Sequence, residues 1–249
     1  SLIDYVRTGS RLMTPPAPPS PLLRRRSFAS HSECLDMPLS TLQAAAKNAG
    51  GSLNDAYLAA LCGALRRYHD ARGIPVATLP MAIPVNLRAE GDPAGGNRFT
   101  GVSLAAPIGE ADPVKRINTI HHQMVMRREE AALDVVSVIA PLVSVLPDGV
   151  MEMMSGSFTP ADVQASNVPG FPGAIYLAGS RVMRQYGLGP LPGVAMMVSL
   201  VSLSGVCTVT ARYDRASITD ADVFARCLRD GFDEVLALSQ PQARNKGLA

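Results

Sequence analysis

The spacing of apolar residues along the chain predicts an alternation of strands and amphipathic helices. A strand is expected within residues 27–38, followed by a helix from Ser40 as N-cap to Gly50 as C-terminal stop. A second helix begins almost at once, because Ser52 and Asp55 have the spacing of a capping box. Its apolar residues recur at helical intervals and include Tyr57, Leu58, Leu61, Leu65 and Tyr68.

Short apolar runs bounded by turn residues predict the remaining strands. Glycine, proline, asparagine and aspartate delimit segments 79–88, 99–107, 162–168 and 174–186. Two further apolar runs flank Ser204 and Gly205, and a Ser-Gly pair between apolar runs is typical of a tight β-hairpin.

The other helices are predicted from amphipathic periodicity. One spans residues 112–130, and a second, in 133–154, is kinked or divided by two prolines. A final helix begins near Thr219, capped by Ser217 or by Thr219 itself. This order of elements predicts an α/β, or layered α+β, domain in which a mixed β-sheet is flanked by helices.

The two ends of the chain differ in composition from its middle. Residues 1–22 contain the sequence TPPAPPSP, which predicts an extended, semi-rigid linker without helix. Residues 23–240 carry the predicted elements and form the expected domain. The tail at 241–249 is polar.

Composition excludes several classes of function. The 23 Lys and Arg against 21 Asp and Glu leave a net charge of +2, and the chain has no Trp, so a nucleic-acid partner is not expected. The four cysteines form no CxxC pair and read as small core residues in a reducing compartment. The N-terminus lacks a signal-peptide pattern, and the uncharged stretch 185–211 is better explained by buried strands than by a membrane span.

Histidine pairs offer candidate chemistry that the local context does not favour. His121 and His122 are adjacent on a predicted helix, where neighbouring side chains diverge by about 100°, and we interpret them as partly exposed surface residues. His31 and Cys34 have a metal-ligand spacing, but no second ligand pair completes a zinc site. Neither a metal nor a cofactor is therefore expected.

Asn54 and Asp55 open the second helix and allow two interpretations. Helix capping explains Asp55 and leaves Asn54 without a required role. Alternatively, the Asn54 amide faces a cleft and donates a hydrogen bond to an oxyanion near the positive end of the helix. No Ser-His-Asp order, GxSxG elbow or paired-carboxylate signature is present.

Polar residues at strand ends are further candidates for a site. Ser166 and Asn167 precede Pro169 and Gly170, an arrangement that suits either a simple strand exit or the edge of a site. Single basic groups also lie beside strands. These are Arg88 and Arg98, and Arg98 directly follows Asn97. Each guanidinium can either pair with a structural carboxylate or bind a nucleotide phosphate.

Taken together, several segments resemble the C-terminal half of the bacterial wax ester synthase/diacylglycerol acyltransferase (WS/DGAT) family. They are SLNDAYLAALCGALRRY, IPVNLR, GNRFTGVSLAAP, DPVKRINTI, SNVPGF and the closing hairpin and helix, in the family's order from about residue 21 to 238. The resemblance implies a fold like chloramphenicol acetyltransferase, with two similar halves and a channel between them. It also identifies the proline-rich start as the linker between the halves.

The resemblance implies an acyl-CoA-dependent O-acyltransferase that makes triacylglycerol or wax esters from diacylglycerol or a long-chain alcohol. The family's HHxxxDG motif belongs to the N-terminal half, and after His121 the positions of its Asp and Gly are held by Met126 and Arg127. The chain is therefore expected to lack the catalytic base and to need an N-terminal partner half. Asn54 would supply the oxyanion donor or position the histidine, and Asp55 would brace it.

The resemblance also places the remaining candidates. Asn97, Arg98 and the Ser166–Gly170 segment, including Asn167 and Pro169, would line the interface or the CoA side. The expected location is cytoplasmic, with peripheral contact to the inner membrane or lipid droplets. The alternatives are a catalytically silent module that binds acyl lipid or regulates a relative, and acyl transfer to another hydroxyl.

Overall fold

The computed structural model describes residues 15–86, 99–131, 161–191 and 193–240, and the elements below belong to these ranges. The strands are β1 (Ser30–Pro38), β2 (Leu79–Asn86), β3 (Phe99–Ala106), β4 (Val163–Val168), β5 (Tyr176–Leu177), β6 (Ser180–Arg181), β7 (Met196–Leu203) and β8 (Val206–Asp214). The α-helices are α1 (Leu39–Asn48), α2 (Leu53–Ala71), α3 (Pro113–Ala131) and α4 (Ala221–Leu236). Short 3-10 helices lie at Pro21–Leu23 and Ala237–Ser239.

Six strands form one mixed sheet in the order β1-β8-β7-β4-β2-β3. Strand β4 runs parallel to β2 and β7, while the other pairs are antiparallel. The C-terminal ends of β2, β4 and β7 therefore meet at one side of the sheet, which we call the carboxyl edge. It is marked by Asn86, Val168 and Leu203. The mixed sheet with helices confirms the predicted fold class.

The helices cover one face of the sheet. Alternate residues of β4 and β7, such as Val163, Ala165 and Val198, are buried in a common core with α2 and α4. The two helices approach closely at Gly231 of α4, where an added Cβ would lie 2.4 Å from the backbone nitrogen of Ala64. Only glycine fits this crossing, although alanine is the better helix former.

The opposite face of the sheet is crossed by residues 183–189, which we call the strap. Ser199 of β7 donates from its hydroxyl to the carbonyl of Gly187 at 2.6 Å, and the Thr208 hydroxyl of β8 donates to the carbonyl of Gln185. Arg184 and Tyr186 both bind the carboxylate of Asp36 on β1, at 2.8 and 2.9 Å. Along β7 and β8, every second side chain thus faces the strap, and the side chains between them face the helices.

Most predicted elements are confirmed, including the hairpin that joins β7 and β8. Ser204 and Gly205 have φ values of 48° and 82°, and these positive angles suit the tight turn of a twisted hairpin. The predicted helix in 133–154 lies outside the described residues.

Three local predictions are wrong. The predicted strand 174–186 is replaced by the two-residue strands β5 and β6, since its apolar residues are exposed instead of being buried in a sheet. The first helix begins at Leu39, with Pro38 at the N-cap position that was assigned to Ser40. The N-cap of α4 is Asp220, whose carboxylate accepts from the backbone N–H of Val223 at 3.0 Å.

The end of the proline-rich segment is also more ordered than expected. It forms the 3-10 turn Pro21–Leu23, because the Ser20 side chain caps it and proline suits the first helical position. Ser20 is buried, with its backbone N–H 2.6 Å from the carboxylate of Asp162 and its hydroxyl 2.7 Å from Nε2 of His69. Residue 22 as the end of the linker, and 240 as the end of the domain, remain predictions.

This buried anchor predicts an acid-sensitive stability. His69 Nδ1 lies 2.7 Å from the carbonyl oxygen of Leu65 and must donate to it, so neutral Nε2 accepts from Ser20. Burial lowers the pKa of His69 below its ordinary value of 6.5. As pH falls, the unfolded chain therefore binds a proton at His69 at a higher pH than the folded chain does. The free energy of unfolding falls as pH drops below about 6.5.

Urea unfolding of the wild type and His69→Gln between pH 5 and 7.5 checks this expectation. The variant should lose stability at neutral pH but show a flatter pH dependence. Burial raises the pKa of Asp162, so its ionisation opposes folding above about pH 3.8, in the opposite direction to the His69 effect. Parallel pH profiles of the two proteins would contradict the role of His69.

Candidate functional site

Hydrogen bonds fix the direction of α2 against the sheet. Near its start, the Tyr57 hydroxyl donates to the carbonyl of Val198 at 3.0 Å. Near its end, His69 reaches Asp162, just before β4, through Ser20. Helix α2 therefore runs antiparallel to β4, and its N-terminus lies towards the carboxyl edge. This orientation brings Asn54 to the edge where β4 ends.

A capping box holds the first turn of α2. The carboxylate of Asp55 accepts from the backbone N–H of Ser52 at 2.8 Å, and the Ser52 hydroxyl accepts from the backbone N–H of Asp55 at 3.3 Å. Asp55 is buried, whereas Asn54 is half-buried and is not needed for the cap. Asn54 therefore sits in a braced turn at the positive end of a 19-residue helix.

The structure separates Ser166 from Asn167. Residues of β4 alternate between faces, so Asn167 shares the helix-side face of buried Val163 and Ala165. Ser166 pairs with Ser199, which faces the strap. Asn167, rather than Ser166, therefore lies at the same edge and on the same face as the start of α2.

The turn after β4 is constrained by β7. The backbone N–H of Gly170 donates to the Ser202 hydroxyl at 3.2 Å, and an added Cβ at Gly170 would lie 1.5 Å from the Ser202 carbonyl oxygen. Close backbone approach thus explains Gly170 as part of the strand exit, and Pro169 beside it is exposed.

The predicted basic segment lies between β2 and β3. Arg88, Asn97 and Arg98 lie outside the described residues. The strand ends that flank this segment are described, and Asn86 pairs with Phe99 at the carboxyl edge. The chain therefore leaves and re-enters the sheet on the side where Asn54 lies.

His121 is a site residue that the sequence interpretation missed. Its Nδ1 lies 2.7 Å from Oδ2 of Asp55, with 46% of the His121 side chain and 3% of the Asp55 side chain exposed. Both His121 and His122 are exposed, as expected, but the partner of His121 was not foreseen. The available signal was helical spacing, because His121 follows the buried Ile117 by four residues.

None of the cysteines with a shifted pKa has the lowered pKa of an activated nucleophile. Burial raises the pKa of Cys62 to about 12 and that of Cys207 to about 11. Cys34 is exposed on the edge strand β1, so the expectation that every cysteine is a core residue is wrong there. Within the described ranges, no group of three or more His, Cys, Asp and Glu side chains could hold a metal ion.

A search of the described helices for one long and apolar enough to cross a membrane finds none.

Comparison with known proteins identifies relatives along most of the chain. Residues 95–235 match the WS/DGAT C-terminal domain. The Mycobacterium tuberculosis H37Rv protein named "Putative diacyglycerol O-acyltransferase Rv2484c" is 60% identical over 238 residues, which cover 96% of this chain and 48% of the relative. The chain thus spans about half the length of this relative.

Solved structures with similar folds include an acyltransferase and a condensation domain. The wax ester synthase/diacylglycerol acyltransferase from Marinobacter aquaeolei VT8 matches with a TM-score of 0.69 and 17% identity, over 95% of this chain and 56% of that one. A condensation domain for chain release from the enacyloxin polyketide synthase matches with a TM-score of 0.59 and 17% identity, over 98% and 48%. These likenesses show the fold, and the family match and the 60% identity show that the chain belongs to the WS/DGAT C-terminal domain family.

Proposed function

We propose that this chain is the C-terminal half of an acyl-CoA-dependent O-acyltransferase that makes triacylglycerol or wax esters. The observation that carries the proposal is the placement of Asn54, in a braced turn at the positive end of α2 and at the carboxyl edge. Family membership supports the class of reaction. The acceptor would be diacylglycerol or a long-chain alcohol.

The proposed reaction divides its chemistry between two halves. A histidine of the partner half, in the HHxxxDG motif, takes the proton of the acceptor hydroxyl as its oxygen attacks the thioester carbon. Asn54 donates a hydrogen bond to the oxyanion that forms there. The intermediate then collapses to the ester, the carbon–sulfur bond breaks, and the CoA thiolate takes the proton from the histidine.

The other candidates take supporting roles in this proposal. Asn167, on the face of Asn54, would bind the acyl-CoA or meet the partner half, and Ser166 would act through the strap side of β4. Asn97 and Arg98 would bind the CoA side, where a guanidinium suits a phosphate. Contact with an inner membrane or lipid droplet would supply the lipid acceptor.

Exposed apolar side chains after β4 support the need for a partner. Between residues 168 and 188 lie Val168, Phe171, Tyr176, Leu177, Met183, Tyr186 and Leu188, with 43% to 73% of each exposed. We call this set the apolar segment. It begins with Val168 at the carboxyl edge and ends in the strap, and exposed apolar surface of this kind marks an interaction site. The N-terminal half would pack here and bring its histidine towards Asn54.

Co-expression with a half that carries HHxxxDG tests the proposal. Intact-mass analysis should find both chains in the natively purified complex, and the pair should convert acyl-CoA and diacylglycerol to triacylglycerol or make a wax ester. Replacing Phe171, Tyr176 and Leu177 by serine should reduce co-purification at least about tenfold. Phe28→Ser is the matched control, because Phe28 is fully exposed but precedes β1.

The opposite result would favour the other candidate role. If this chain purifies alone, folded and monodisperse, and the mixture transfers no acyl group, the acyltransferase proposal is wrong. Binding of acyl lipid by the isolated chain would then indicate the silent lipid-binding or regulatory module.

A further inference from the structure

The Asp55–His121 pair is not used by the reaction proposed above. It joins two helices across 66 positions of the sequence, with a half-exposed imidazole on a buried carboxylate. His122, the next residue, is also exposed but has no corresponding hydrogen bond among the described residues. This contact at the first turn of α2 indicates a role for His121 that His122 does not share.

The geometry makes Asp55 the junction of the turn. Its Oδ2 accepts both from the Ser52 backbone N–H at 2.8 Å and from His121 Nδ1 at 2.7 Å. An ionised carboxylate only accepts, so Nδ1 must donate, and the Asp55 carboxylate is held from two directions. Asn54 lies between these two capping residues in the chain. Release of the Asp55 carboxylate therefore loosens the capping box that fixes the backbone on both sides of Asn54.

Contacts with α2 hold α3 in place, so the His121 imidazole is a rigid hydrogen-bond donor to Asp55. Five residues before His121, the buried Arg116 binds the carbonyl of Ala59 on α2 at 2.7 Å. Ile117 packs against the loop before α2, within 2.5 Å of where a Cβ on Gly51 would lie. The backbone of α3 is thus fixed against α2 on the side of His121. Its imidazole is presented from a rigid helix instead of a loop.

We propose that His121 is a positioning residue for acyl transfer, which acts through Asp55 to fix the turn that presents Asn54. This inference rests on the proposed function, because it assumes that Asn54 meets the oxyanion. Without the hydrogen bond from His121, the amide donor would be less well aligned. Such misalignment lowers the rate of the chemical step more than it weakens substrate binding.

Matched variants at adjacent histidines test this role in the two-half complex. His121→Phe should lower kcat about tenfold to a hundredfold with little change in the KM for acyl-CoA. His121→Asn, which keeps an N–H donor near the position of Nδ1, should stay within about threefold of the wild type. His122→Phe is the control and should leave kcat unchanged.

A double-mutant cycle with Asn54→Ala shows whether His121 acts through Asn54. If it does, His121→Phe should have almost no further effect on kcat in the Asn54→Ala background. Additive losses would overturn the inference, as would an unchanged kcat in His121→Phe when Asn54→Ala is impaired. A neutral Asn54→Ala would overturn the proposed role of Asn54 and the inference together.

Hydrogen exchange of the isolated chain provides a readout without activity. The amides of Ser52 and Asp55 should exchange several-fold faster in His121→Phe than in His122→Phe, because the cap opens more often. Equal exchange in both variants would show that His121 does not hold the turn and would overturn the inference. This measurement stands whether or not the complex transfers acyl groups.

Discussion

Asn54→Ala is expected to lower the turnover of the two-half enzyme by about tenfold to a thousandfold, which is the range for loss of one oxyanion donor. The first turn of α2 should survive, since the capping box uses the side chains of Ser52 and Asp55 only. The measurement is kcat and KM for acyl-CoA, together with the thermal unfolding of this chain. The loss should fall on kcat, because the oxyanion exists only along the reaction path.

Asn48→Ala is a matched control for this substitution. Asn48 is an exposed asparagine at the end of α1, and its amide is already used in a hydrogen bond within the fold, to the carbonyl of Leu238 at 2.9 Å. Its removal should leave turnover unchanged. If Asn54→Ala is equally active, Asn54 is merely a residue of the helix, and the oxyanion donor must lie elsewhere.

Local signals in the sequence were sufficient for much of the fold. The Ser52–Asp55 spacing satisfied two backbone donors reciprocally, so the start of α2 followed from chemistry within four residues. The hairpin at Ser204 and Gly205 was equally local. In contrast, apolar alternation in residues 174–186 resembled a strand, and only the tertiary fold shows that these side chains are exposed.

The site was less predictable because it is assembled from distant parts of the chain. The period of two separates Ser166 from Asn167, but only the packing of α2 shows which face carries the helices. Helical spacing places His121 on the side of α3 that carries the buried Ile117, but its contact with Asp55 depends on how α3 docks on α2, which the sequence does not encode. Family resemblance pointed to Asn54 and Asp55, whereas it gave no reason to consider His121.

Glu234→Ala is expected to destabilise the chain by about 3–5 kcal/mol, the usual cost of breaking a buried ion pair. Arg116 has a fully buried side chain and binds Glu234 as well as the carbonyls of Ala59 and Glu110. Burial opposes the ionisation of Glu234, but Arg67 and Arg116 outweigh it and hold the pKa of Glu234 below its ordinary value. Removing the carboxylate therefore leaves a buried guanidinium without its counter-charge.

Urea unfolding separates this ion-pair effect from general damage to α4. The midpoint should fall without a change in the m-value, and Glu234→Gln should lose less, because its amide oxygen still accepts from Arg116. Asp233→Ala is the matched control, an adjacent and exposed carboxylate of the same helix. Since the pKa of Glu234 is lowered, the wild type should lose this stabilisation as pH falls below about 4.5, while Glu234→Ala should not. A loss below about 1 kcal/mol in Glu234→Ala would mean that Arg116 is satisfied by the carbonyls alone, and α3 would then be held on α2 without α4.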